Sequence, residues 1–97
     1  MSIKFRLMIP SAPKLEKVHD VIVVGAGAAG LTAALYLARY RLDIVVIADV
    51  IGGTMLEASI IDDYPGVPKV PGSKLAERFI SHVREYGVPI ILSLIHI

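Results

Sequence analysis

Val21-Ile22-Val23-Val24-Gly25-Ala26-Gly27-Ala28-Ala29-Gly30-Leu31-Thr32-Ala33-Ala34-Leu35 is the stretch on which the fold of this 97-residue chain turns. Four β-branched residues come first, then three glycines within six positions, then a helix-favouring run through Leu37. From Val21 to Ala38 there are eighteen residues without a charge, enough in length for a membrane-spanning helix. The internal order opposes that reading, because each glycine costs about 1 kcal/mol inside a helix. Strand, glycine turn, helix removes the cost. The strand over 21–24 is a continuous apolar run, as expected of a parallel strand covered on both faces.

Working outward, residues 31–40 are predicted as a helix, with Leu31, Ala34, Leu35 and Ala38 at helical spacing. Arg39 and Arg41 stand at its end, where cations suit the helix dipole. Ile44–Ala48 reads as a second buried strand ending at Asp49, and Gly52-Gly53 as a turn. Residues 54–61 are mixed, and Asp62-Asp63-Tyr64-Pro65-Gly66 is a loop. Ser73 is placed to cap a helix over 74–86. Its apolar stripe is Leu75, Phe79, Val83 and Tyr86, and Gly87 ends it in the left-handed conformation. Val88–Leu92 is the third strand. Upstream, Ile3, Phe5, Leu7 and Ile9 alternate with Lys4, Arg6 and Met8 as a short strand or a loose tail, and Pro10 to Pro13 break the chain.

Composition narrows the function. Hydrophobic residues are 55%, charged residues 20% and the net charge +1, which excludes a disordered chain and gives no electrostatic footprint for nucleic acid. Cysteine is absent, so within this chain there is no disulfide, thiolate metal site or C-x-x-C pair. His19, His82 and His96 are too scattered to form a metal site. No secretory leader is visible between Met1 and Lys17.

Gly25-x-Gly27-x-x-Gly30 has the context of a dinucleotide fingerprint: a strand before it, a helix after it, and a second strand closing the unit. Gly25 allows the tight turn, Gly27 lets backbone approach a pyrophosphate, and Gly30 lets the helix pack on the strand. Used only for close packing, the same glycines would bind nothing. Asp49, nineteen residues after Gly30, is a candidate acceptor for ribose hydroxyls, or else a solvated turn residue; Ala48 fills the position before it. Tyr36, Tyr40 and Tyr86 read as packing or rim residues and His82 as solvated. Asp62 and Asp63, adjacent in a turn, point apart and do not pair.

Val21 to Tyr36, with Gly52-Gly53 and Ile61-Asp62-Asp63-Tyr64-Pro65-Gly66, resembles the start of a flavin-dependent thioredoxin reductase of the pyridine nucleotide-disulfide oxidoreductase family. The extension before residue 19 and the Asp-Asp-Tyr wording look closest to archaeal members. The resemblance implies a Rossmann-like, doubly wound α/β fold with a mostly parallel sheet, as part of an FAD-binding domain over 19–92. Residues 1–18 would be an extension, and 93–97 an atypical tail whose wording looks like translated sequencing adapter, or else an ordinary strand end. It further implies that Gly25, Gly27 and Gly30 hold the FAD pyrophosphate with the backbone of Ala28 and Ala29. Gly52 and Gly53 would let their loop lie along the cofactor. Thr54 stands where the family usually has Gln and Asp63 where it usually has Asn, both directed toward the flavin; a carboxylate at 63 removes a donor.

The family's C-x-x-C pair and NADPH or NADH site belong to a second domain that these 97 residues lack, so they are expected to form the first part of a longer reductase and to be inactive alone. The intact parent would be a cytoplasmic homodimer reducing a thioredoxin-like disulfide protein, with no membrane or nucleic-acid partner. The competing reading is a stand-alone nucleotide-binding module without catalysis.

Overall fold

The computed structural model describes residues 18–93. The readings of residues 1–17 and 94–97 lie outside them. In chain order the elements are β1 (Val21–Ala26), α1 (Ala28–Arg39), β2 (Ile44–Ile51), a 3-10 turn (Gly53–Glu57), α2 (Gly72–Glu85) and β3 (Ile90–Leu92). The sheet has the order β1-β2-β3 and both pairings are parallel. Parallel strands need crossovers, and α1 and α2 supply them.

The apolar run at 21–38 thus divides into a strand and a helix. Among the described residues no helix is long and apolar enough to cross a membrane. Leu31 and Ala34 of α1 are buried with Ala26, Val46, Ala48 and Val83, so α1 packs on the sheet and on α2. Burying a side chain such as Leu31 is worth about 1.5–3 kcal/mol. A second cluster joins Met55 of the 3-10 turn to Val70, Leu75 and Ala76, tying that turn to the start of α2.

Four expectations need correction. Helix α1 begins at Ala28, not 31, because Gly27 takes the N-cap and Gly30 sits in the first turn. Strand β2 runs on to Ile51, so Asp49 lies within it; Ala26 pairs with Ile51 across a break in register that follows Val24. Ser73 is not the cap of α2: Pro71 is the N-cap, and no side chain bonds there. Strand β1 is not covered on both faces. Ile22 and Val24 are 53% and 65% exposed, whereas Ile44 to Ala48 of β2 are all buried.

Helix ends follow their backbone. Gly87 has φ +77° after α2, as expected for a left-handed stop, while the equivalent place after α1 is held by Arg41 at φ +65°. The amide of Arg41 donates to the Ala38 carbonyl at 2.8 Å.

Candidate functional site

The first glycine turn is built by the end of β1. Gly25 has φ +108°, and a Cβ there would meet nothing within 4 Å, so conformation alone requires glycine. At Gly30 the requirement is space. A Cβ would run into the Gly25 carbonyl oxygen and stand 3.0 Å from its carbon. The first turn of α1 therefore lies directly on the bend. Leu31 N–H donates the first helical bond to the Gly27 carbonyl at 3.0 Å. No side chain caps this end and no acidic residue sits in its first turn. Ala28 and Ala29 are exposed there. Amide groups that lack helical partners, together with the positive end of the helix dipole, suit an anion.

The second glycine pair meets the first. Gly52 is buried, has φ +113°, and donates its N–H to the Ala26 carbonyl at 2.9 Å. Gly53 has φ +59°, and a Cβ on it would stand 2.7 Å from Gly27 Cα. That is closer than a real Cβ approaches any atom, so the two loops touch as they do because residue 53 is glycine; a Cβ on Gly27 would stand at an ordinary 3.8 Å from Gly53 Cα. The resemblance sets Gly52 and Gly53 along the cofactor; the geometry shows them laid against the turn itself.

The remaining candidates surround this junction to different degrees. Asp49 is exposed on β2, three residues before Gly52. Ala48 is buried, and its carbonyl accepts Ser93 N–H at 2.8 Å, so the sheet ladder reaches Ser93. Thr54 is exposed in the 3-10 turn. Asp63 is exposed in a loop that closes on itself, with Ile61 and Val70 exchanging backbone bonds of 2.7 and 2.9 Å. Its neighbour Asp62 accepts Lys69 N–H at 2.9 Å, so that carboxylate builds the loop. The glycine turns are thus assembled with the helix start, while Asp63 belongs to a separate loop.

Tyr36, Tyr64 and His82 line a cleft of about 380 Å³ between α1 and α2, to which none of the glycines contributes. Tyr86, expected in the apolar stripe, is 41% exposed and accepts a bond of 2.9 Å from Arg39.

Two residues escape sequence reasoning. His19 is buried at its side chain, its Nδ1 3.2 Å from Asp43 Oδ1, pinning the entry of β1 to that of β2. Gly72 is buried at the start of α2. A Cβ on it would strike the Met55 carbonyl oxygen. A glycine after a proline is an ordinary loop signal, and nothing local marks it as a close approach.

A parallel sheet whose first strand bends through glycines into an uncapped helix start defines a Rossmann-like dinucleotide-binding α/β domain. Residues 19–94 match the family model described as pyridine nucleotide-disulphide oxidoreductase, and the chain belongs to that family. It is 41% identical over 73 residues to thioredoxin reductase of Listeria monocytogenes, covering 74% of this chain and 23% of that protein. The solved thioredoxin reductase of Streptococcus pyogenes superposes with a TM-score of 0.75 at 34% identity, over 78% of this chain and 25% of that one. That of T. acidophilum gives 0.73 at 39% identity, over 76% and 24%. The chain spans about a quarter of the length of these relatives.

Proposed function

We propose that these residues are the FAD-binding part of a thioredoxin-reductase-like flavoprotein. The observation that carries this reading is the junction of the two glycine turns at the uncapped start of α1. Its backbone fits a pyrophosphate: Gly27 presents no side chain, and no acidic residue in the first turn repels an anion. Ala28 and Ala29 offer amides, and Asp49 stands on the adjoining strand as acceptor for ribose hydroxyls. Gly25 and Gly30 hold the bend in place. In this reading Thr54 and Asp63 occupy the positions from which the family's Gln and Asn reach toward the flavin.

Bound FAD supplies acceptance of hydride from NADPH or NADH and delivery of electrons to a disulfide. In the whole reductase, a cytoplasmic homodimer in this reading, the acceptor is a thioredoxin-like disulfide protein. The residues here bind and orient; with no cysteine among them they supply no thiolate for exchange with a disulfide. Titration of the 97-residue chain with FAD, read by flavin fluorescence, tests the reading. Saturable FAD binding with no thioredoxin reduction above free flavin supports it. Tight NAD binding without FAD binding favours the stand-alone nucleotide module instead.

A further inference from the structure

We propose that Gly72 is a positioning residue for the glycine turn, acting through the 3-10 turn 53–57 that it grips from the other side. The linkage has two joints, both of backbone against backbone. At the first, Gly72 N–H donates to the Ala58 carbonyl at 3.1 Å. A Cβ on Gly72 would collide with the Met55 carbonyl oxygen and stand 2.5 Å from that of Ala58. Ala58 N–H in turn donates to the Met55 carbonyl at 3.3 Å, closing the end of the 3-10 turn. At the second joint, Gly53 lies against Gly27, and Gly52 N–H is bonded to Ala26.

Neither joint contains a side chain that can change rotamer to absorb a misfit, so a displacement at one joint passes to the other. Gly72 has no positive φ, which leaves steric approach as the reason for glycine there. The buried side chain of Met55 locks the intervening turn to Val70, Leu75 and Ala76. The start of α2, more than forty residues away in sequence, thereby sets where Gly27 stands.

The ligand side of this proposal rests on the FAD reading; the linkage does not, and amide hydrogen exchange in the unliganded chain separates them. In Gly72→Ala, the amides of Gly52 (bonded to Ala26) and Leu31 (bonded to Gly27) should exchange about tenfold faster, a local opening of about 1.4 kcal/mol. The Val46 amide, bonded to Pro89 across the sheet, should hold its rate within about twofold. Gly53→Ala tests the reverse direction and does not depend on Gly72→Ala folding. Coupling between two joints is reciprocal, so it should speed exchange of the Gly72 amide by a similar factor. Unchanged Gly52 and Leu31 rates in Gly72→Ala, or an unchanged Gly72 rate in Gly53→Ala, overturns the linkage. Equal acceleration at Val46 in both variants also overturns it, since that is loosening of the whole fold. If wild type fails to bind FAD, the functional reading falls while the exchange result stands.

Discussion

The two helices begin alike and serve differently. Each starts beside a glycine, has no side-chain cap and carries no acidic residue in its first turn. At α1 the exposed Ala28 and Ala29 leave the amide end open to one side. At α2 the Met55 and Ala58 carbonyls close over Gly72, and the Ala58 carbonyl takes its N–H. A glycine at a helix start therefore does not by itself mean an anion site. What distinguishes the two is whether protein carbonyls already fill the space that the missing side chain vacates.

The largest effect expected from breaking this contrast is at Gly27. Gly27→Val puts two methyl groups where a pyrophosphate would meet backbone, and should weaken FAD by more than about 100-fold, close to 3 kcal/mol. Equal affinities by flavin fluorescence would remove the turn from the binding site. Gly30→Ala sharpens the contrast from the folding side, because its Cβ meets the Gly25 carbonyl. Urea denaturation should show a loss of about 2–3 kcal/mol, the upper range for overpacking. A stability equal to wild type would mean that α1 is free to lift off the bend.

Asp49 is the next smaller test. Asp49→Ala should weaken FAD by about 1.5–3 kcal/mol, the scale of a hydrogen bond to a charged group. A loss below about 0.5 kcal/mol, on the same scale, would leave it a solvated strand residue. The smallest effect concerns the other end of each helix. Arg41→Gly should raise stability by about 1 kcal/mol, since arginine there occupies a left-handed position that Gly87 fills without strain after α2. Thermal unfolding reads this directly, and a lowered midpoint would show that the arginine side chain offsets its own backbone.

The order of elements was legible because each has its own local signal: β-branched runs for β1 and β2, spaced leucines and alanines for α1, Gly87 for the end of α2. The glycine fingerprint was legible for the same reason. What eluded the sequence depends on atoms distant along the chain. Strand β2 extends past Asp49 because the Gly52 amide finds Ala26. The residues after Gly52 read as mixed, yet they form a 3-10 turn whose Met55 is held by Val70, Leu75 and Ala76. Gly72 and Ser73 exchanged importance: the hydroxyl that reads as a cap is exposed, and the glycine beside it is buried against carbonyls. The apolar run of β1 promised two covered faces, but hydrophobic pattern records only what a strand tolerates, not which element arrives to cover it.

That uncovered face has a bearing on survival in the cell. Ile22 and Val24 present half or more of their surface to solvent on a strand that, among the described residues, lies at the edge of the sheet. Exposed apolar strand edges are what makes incompletely covered chains prone to aggregate, and why chaperones exist. Coverage of Ile22 and Val24 therefore bears on abundance: chain in which they stay exposed is the more open to aggregation and proteolysis, however well the glycine turns are formed.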